Sequence, residues 1–550
     1  GCRKSQPTES HLLSGYNENG PYGRIEILYP LDETVFPPEI VPPVVRWNDA
    51  TPGVASWVIR IRFSDGGPDL VSESRGKSWV PRNKEWQETK RRSREQQAQL
   101  TILGISRGPS RVILSRGRVM FKTSKDEVGA PIFYRDVPLP FIEAVQDPRR
   151  IRWRFGTISS ESPGVVLENL PVCGNCHSFS KDGAILGMDV DYANNKGSYI
   201  ITRTRRYMTL ATSEIITWDD YKRDEGEPTY GFLSQVSPDG RYVISTVKDK
   251  SVFVARPDLA FSQLFFPIKG LLVVYNCETK TFKALPGADD PRYVQSNPVW
   301  SPDGRYIVFA RAPAYQLRET SAKNKLLLSP SDCNEFLAEG KPFRYDLYRI
   351  PFNDGNGGEP QPIEGASNNG FSNYFPRYSP DGKWIVFCRA RNYMLLQPDS
   401  ELYIIPAGGG QARRLRANTN RMNSWHSWSP NSRWLVFASK ANSPYTQLFL
   451  THIDEDGESS PPVVLDRFTA PDRAANIPEF VRLPADGIEK IRERFVDDYS
   501  MARAAYISET QGAIDDAIRD YRKALEINPR NVHAHQRLGF LLYNMKQQRA

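Results

Sequence analysis

Val236-Ser237-Pro238-Asp239-Gly240, Trp300-Ser301-Pro302-Asp303-Gly304 and Tyr378-Ser379-Pro380-Asp381-Gly382 are three copies of one signal, an aromatic or apolar residue leading into Ser-Pro-Asp-Gly. Phe179-Ser180-Lys181-Asp182-Gly183 and Trp428-Ser429-Pro430-Asn431-Ser432 are looser copies of it. Proline presets φ and glycine accepts the left-handed region, so each copy specifies a tight turn. A short apolar run follows, such as Tyr306-Ile307-Val308-Phe309 or Trp434-Leu435-Val436-Phe437. The turn serines are 57, 64, 78 and 50 residues apart, which suits four-stranded propeller blades with loops of unequal length. The fold class expected is mainly β: a six-bladed β-propeller over residues 151–485, with seven blades as the alternative count. Five blades follow from the turns. A sixth is expected where Ile477-Pro478-Glu479-Phe480-Val481-Arg482-Leu483 joins strands that precede Cys173.

Outward from the repeat, the pattern changes on both sides. Residues 1–150 are Pro-rich at first and then carry extended runs, among them Ser56-Trp57-Val58-Ile59-Arg60-Ile61-Arg62-Phe63. Trp57, Ile59, Ile61 and Phe63 alternate with Val58, Arg60 and Arg62, the period of a strand with one buried face. A small fibronectin-like β-sandwich is the expectation there. Lys90, Arg91, Arg92 and Arg94 lie close together between Lys84 and Gln99, where a solvated helix or loop is favoured over a basic binding patch. Residues 486–550 turn helical: Ala513 to Pro529 places Ala and large apolar residues at helical spacing and ends in Asn528-Pro529.

The five turns, with strands such as Asp346-Leu347-Tyr348-Arg349-Ile350 and Glu401-Leu402-Tyr403-Ile404-Ile405-Pro406, resemble the β-propeller of the Tol-system periplasmic protein and its WD40-like relatives over roughly residues 165–485. The resemblance implies an envelope location and says little about activity, since propellers host catalysis, electron transfer and scaffolding alike. The segment from Ala513 resembles the second helix of a tetratricopeptide repeat, and Ala534, Leu538, Gly539 and Leu542 resemble the start of the next. About three such repeats are needed to bury a continuous core. The helical tail is therefore expected to pack on the propeller, to continue in further chain or to take a protein partner.

Chemistry concentrates at Pro171-Val172-Cys173-Gly174-Asn175-Cys176-His177. Cys-x-x-Cys-His is the spacing at which two thiols bind one haem covalently while the adjacent imidazole takes the iron. A short disulfide, half of a zinc site, or a satisfied core histidine are the other readings of the same residues. Counting three residues back from each turn serine gives His177, Ser234, Pro298, Pro376 and His426. Two histidines are thereby expected at equivalent places near the channel axis, with His177 as the proximal ligand of haem c and His426 as a distal ligand or pocket residue. Met188 competes for the distal position, against a role in the blade core. Leu167, Leu170, Val172 and Phe179 are the apolar wall expected of such a site. Arg203, Arg205 and Arg206 are either partners for haem propionates or an exposed basic turn.

Other chemistry is weakly signalled. Asp189-Val190-Asp191-Tyr192-Ala193-Asn194 offers oxygen ligands for calcium but lacks the glycine and terminal glutamate of a standard loop. No Gly-x-Ser-x-Gly, phosphate-cradling glycine loop or His-Glu-x-x-His motif occurs. The excess of 72 Lys and Arg over 64 Asp and Glu, a net charge of +8, is spread along 550 residues and does not argue for nucleic acid. No apolar run is long enough for a transmembrane helix. Cys2, behind Gly1, is the residue that a lipoprotein anchor would modify, with an arbitrary start to the chain as the alternative. The main reading is an extracytoplasmic electron carrier of the periplasm or outer envelope, with one haem c and a redox partner protein or envelope complex. The alternative is a haem-free envelope scaffold that binds proteins through the propeller and tail; an enzyme with an open haem position is a third class.

Overall fold

In all five repeats the turn serine closes the same small network. In the second copy, Ser237 Oγ donates to Asp239 Oδ1 at 2.6 Å and accepts the Tyr242 N–H at 2.9 Å, and Gly240 sits at φ 73°. Ser180, Ser301 and Ser379 repeat this with Asp182, Asp303 and Asp381. In the last copy Asn431 stands in for the aspartate and Ser432 takes the left-handed conformation at φ 61°. Each network turns the chain from one strand into the next, antiparallel one.

The computed structural model describes residues 13, 15–108, 111–225, 229–255, 263–318, 328, 330–510 and 512–548. Cys2 lies outside the described residues. The chain is mainly β, with propeller-like sheets and helices at its C-terminal end. Four four-stranded antiparallel sheets and one eight-stranded sheet make up the ring, and the eight-stranded sheet joins two antiparallel halves through a single parallel bridge, Gly270 to Val294. The innermost strands are Gly174–Phe179, Phe232–Val236, Tyr293–Trp300, Ser372–Tyr378, Asn423–Trp428 and Arg473–Phe480.

The strand Arg473–Phe480 closes the ring by pairing with Ile132–Pro138, which is followed in the same sheet by Arg152–Gly156 and Gly164–Leu167. Ile132–Pro138 thus belongs to the ring although it precedes residue 151. Asp136, 6% exposed at its side chain, ties this closure. It accepts from Arg154 Nε at 2.7 Å, Arg152 Nη2 at 3.2 Å and Arg473 Nε of the closing strand.

Seven N-terminal strands follow one hydrogen-bonded path, running from Leu70–Ser74 through Val54–Phe63 to Ser78–Trp79, and an eighth, Thr34–Phe36, pairs beside it with Ile113–Thr123; Gly23–Tyr29 joins the two parts of the path by pairing with both Ile113–Thr123 and Val45–Asp49. Trp57, Ile59, Ile61 and Phe63 are buried, as their alternation implies. Val58 is buried too, under Leu103 and Ile105 on the opposite face. The basic stretch forms the helix Asn83–Arg92, with Arg91 and, just after it, Arg94 exposed as expected, but Lys90 and Arg92 are buried. Lys90 Nζ donates to the Ile40 carbonyl at 3.0 Å and Arg92 is paired with Asp65 at 2.7 Å. The N-terminal sheet is clamped to the sheet that precedes the closing strand through Arg46–Asp466, Trp434 Nε1 on the Asp126 carbonyl, and His452 Nε2 at 2.8 Å from Asp126 Oδ2.

Because one buried carboxylate serves three guanidinium groups at the closure, its removal leaves cations without a counterion. Asp136→Ala is expected to lower unfolding stability by about 3–5 kcal/mol, measured by urea denaturation of the full chain. A loss below about 1 kcal/mol would show that the ring does not depend on this cluster.

Candidate functional site

The six innermost strands pack against their neighbours, and each has to make room for the next. Five of them do it identically. In each, two residues oppose one on the neighbouring strand, and the first of the two is left-handed: Leu233, Asn297, Phe375, Trp425 and Ile477, all at φ between 45° and 58°. These β-bulges sit at one height in the ring. The strand that carries Cys176 is the exception. Its bulge, Asn175 and Cys176 opposite Asp189, falls one residue earlier with no left-handed residue, and His177 is consequently paired with Met188 in the ladder.

This shift corrects the equivalence expected of His177 and His426. His426 is the second residue of a regular bulge, and His177 is not in a bulge at all. The His426 Nε2–H donates to the Val386 carbonyl at 3.0 Å, and Nδ1 lies 3.9 Å from Cys388 Sγ. The ring is thereby committed to the adjacent sheet, and the closing strand lies between the strands of His426 and His177. Met188 is buried directly opposite His177 on the neighbouring strand, so the two side chains stand side by side on one face of the sheet. Neither His426 nor Met188 is brought across from His177 as a second axial ligand requires.

His177 itself is 1% exposed, yet neither ring nitrogen makes a hydrogen bond of good geometry, the Ile477 and Phe133 backbones being the polar groups that act on it. Its ring packs edge-on against Phe133 with centroids 4.7 Å apart, near Phe179. Burial holds the imidazole down at about 3, so it is neutral. Cys173 and Cys176 are both free thiols. Burial raises both, Cys176 most strongly. The Cys176 N–H faces Asp189, whose carboxyl is pushed up to about 8 by burial and is therefore mostly protonated at neutral pH. Arg135, on Ile132–Pro138, reaches Asn175 Oδ1 and the Gly174 carbonyl and fixes the first turn of the motif. Two thiols for attachment and one imidazole for the iron are the side chains that a covalently bound haem would use. The cavity that touches Cys176 measures about 50 Å³ and is walled by Arg135, Phe141, Leu233 and Trp425, room for water. A macrocycle there requires that wall to move.

Most of the remaining residues singled out by sequence have structural partners, while Arg203 and Arg205 are exposed, as a basic turn would be. Leu167 and Leu170 are buried in the same cluster as Phe179, with Val172 and Cys173 against its edge. Arg206 is exposed and paired with Glu489 at 2.7 Å, away from the thiols. Asp191 is paired with Lys196, while Asn194 Nδ2 donates to Ser508 Oγ and Asp520 Oδ2, each at 3.0 Å. The acidic segment thus holds the tail, and no group of three metal-binding side chains occurs among the described residues. Val172 packs against both the ring cluster and the tail cluster, which brings the helices against the Cys-x-x-Cys segment. The chain leading to the tail is itself anchored, with Lys490–Glu493 pairing in parallel with Tyr207–Leu210. Sequence reasoning missed Arg135 and the role of Asp189. Arg135 comes from a strand some forty residues away, and only the misplaced bulge marks the site.

Residues 510–546 match the family described as TPR repeat. No curated protein matches the chain. Among solved structures, a putative TolB from Agrobacterium tumefaciens is similar at 14% identity and TM-score 0.33, over 64% of this chain and 98% of that one. The Pseudomonas aeruginosa periplasmic gluconolactonase PpgL is similar at 13% identity and TM-score 0.29, over 64% and 99%. An oligogalacturonate lyase from Vibrio parahaemolyticus is similar at 11% identity and TM-score 0.29, over 56% and 85%. The propeller-like architecture assigned above rests on this chain's own strand pairing.

The buried groups set a pH dependence. His177 and His426 are held at about 3, below the ordinary 6.5. Between these values the unfolded chain binds protons that the folded chain does not, so their contribution falls as pH falls, by about 1.4 kcal/mol per unit for each group. Asp189, Asp249 and Glu479, raised to about 8, 7 and 7, bind protons in the folded chain first, so their contribution grows as pH falls from 8 towards 4. His426→Gln removes one of the opposing protons. Relative to wild type, its stability should improve by about 1.4 kcal/mol per unit from pH 6 to pH 4, followed by urea unfolding. Parallel profiles would mean that His426 is protonated in the folded chain.

Proposed function

We propose that this protein is an extracytoplasmic interaction scaffold in which six four-stranded blades form a rigid ring that presents a tetratricopeptide-like tail to a protein partner. The observation that carries the reading is the aromatic surface of the tail. On the helix Asp498–Thr510, Tyr499 is 77% exposed and Tyr506 46% exposed; on Val532–Gln548, Phe540 and Tyr543 are 56% and 62% exposed. The two sets are joined. Arg537 is bonded to Glu509 and lies over Tyr506 and Phe540, and His533 packs edge-on against Tyr506. Aromatic residues and arginine, clustered and exposed, are the residue types that anchor protein interfaces.

The blade count belongs to this reading, and strand pairing supports it: the eight-stranded sheet divides into two four-stranded halves at its one parallel bridge. A three-part division also belongs to it, with an N-terminal sandwich-like sheet, the ring and the tail. The location outside the cytoplasm is supported by the Cys-x-x-Cys-His segment and by the Tol-like turns.

A second reading is favoured by one observation, the buried imidazole of His177 with neither nitrogen in a hydrogen bond of good geometry, beside two free thiols. In it Cys173 and Cys176 carry a covalently attached haem, His177 is its ligand from this chain, and the scaffold passes electrons to its partner. The haem would supply one-electron chemistry. Arg135 and Asp189 would hold the attachment segment in place.

Two outcomes test these readings. Phe540→Ser with Tyr543→Ser, both exposed, should abolish co-isolation of the partner from the native envelope while leaving the thermal unfolding midpoint within about 2 °C; retention of the partner would exclude the tail as its docking face. Haem staining of the denatured chain, expressed with a haem-attachment system, should give a band lost in Cys173→Ser with Cys176→Ser; an unstained wild-type chain would leave only the scaffold.

A further inference from the structure

The regular bulges give the channel a second end. Two residues before four of the turn serines, and two residues after the left-handed Ile477 of the closing strand, the inner strands present Gln235, Val299, Arg377, Ser427 and Glu479 around a cavity of about 200 Å³ at the face where the Ser-Pro-Asp-Gly turns lie. Cys176 lines the opposite end. Trp300, Trp425, Trp428 and Tyr378 wall the cavity. The first and third of these tryptophans are fixed, Trp300 Nε1 on the Gln235 carbonyl and Trp428 Nε1 on the Arg377 carbonyl, each at 3.3 Å.

Arg377 is the group without an evident structural purpose. Its guanidinium lies in the channel beside the Phe375 ring and spends one N–H on Gln235 Oε1, at 2.6 Å. A guanidinium carries five N–H donors. The acidic side chain that acts on it is Glu479, but Glu479 Oε1 accepts the Phe179 N–H at 3.1 Å, and no Arg377–carboxylate ion pair occurs among the described residues. Burial of the Glu479 carboxyl pushes it up to about 7, which removes much of its charge near neutrality. Lys181 and Arg482 stand at the rim. Arg377 is only partly buried and lines the open cavity, and aromatic walls with one convergent charged group are the composition of a small-ligand site.

We propose that this turn-side mouth binds a carboxylate borne on an apolar or aromatic body, with Arg377 and Gln235 holding the carboxylate and the tryptophans flanking the body. The same chemistry is offered by a free arylalkanoic acid and by the C-terminal residue of a peptide. It is independent of the tail face and of the thiols, and neither is needed for it.

Isothermal titration of the full chain with 3-phenylpropionate should give saturable binding, and the uncharged isostere 3-phenylpropan-1-ol should bind at least about 10-fold more weakly. Arg377→Met should make acid and alcohol indistinguishable, whereas Arg482→Ala, at the rim, should reduce acid binding by only about 2-fold. N-acetyl-glycyl-phenylalanine set against its C-terminal amide assigns the source. Preference for the free acid form of the peptide over phenylpropionate points to a chain terminus, and the reverse order points to a small acid. Equal affinity for acid and alcohol in the wild-type chain, or no saturable binding of any acid, overturns the proposal irrespective of whether the variants fold.

Discussion

Crowding at the axis is the constraint from which the rest of this architecture follows. Strands meeting at the centre of a ring cannot all run straight, and five of the six take the same left-handed step at the same height. Non-glycine residues in that conformation are each strained by about 1–3 kcal/mol. They persist because the paired strands over-determine them, together with the Ser-Asp or Ser-Asn turn that follows four of the five. The same step aims the residues after it into the channel, which is how Gln235, Arg377 and Glu479 come to face one cavity though they are far apart in the chain.

Against that regularity the Cys176 strand is legible as a departure. Its displaced bulge is opposed by a partly buried aspartate, where the other sheets place Ser245, Phe309, Phe387, Phe437 and Tyr134. A natural chain breaks its own local rule mostly where something other than stability is served. The docked tail reinforces the point. Val172 is shared by ring and helices, and Asn194 spends its amide on tail groups, so whatever the two thiols do is mechanically joined to the aromatic surface beyond them.

The turns were plain in the chain because Pro238, Asp239 and Gly240 and their counterparts act locally, through φ and through one side-chain hydrogen bond. The helical tail was plain for a similar reason, since the spacing of Ala517, Tyr521 and Ala524 is a local pattern. What escaped was non-local. Aligning His177 with His426 by distance from a serine assumed equal bulges, and a one-residue offset sends one imidazole to the Val386 carbonyl and leaves the other without a hydrogen bond of good geometry. Arg91 is solvated as its sequence suggests, but the burial of Lys90 and Arg92 likewise depends on Ile40 and Asp65, which come from other parts of the N-terminal region. Arg377 carried no signal at all, because its meaning depends on four other strands.

The closing strand has a consequence for how the molecule is made. Ile132–Pro138 and its partner Arg473–Phe480 are separated by roughly 340 residues, so at translation speeds of about 5–20 residues per second the edge of the first sheet waits on the order of 20–70 seconds for its mate. During that interval it is an open row of backbone donors and acceptors, flanked by Phe133 and Tyr134, of the kind that captures foreign strands. A nascent chain built this way gains from any condition that delays folding until all strands are available together.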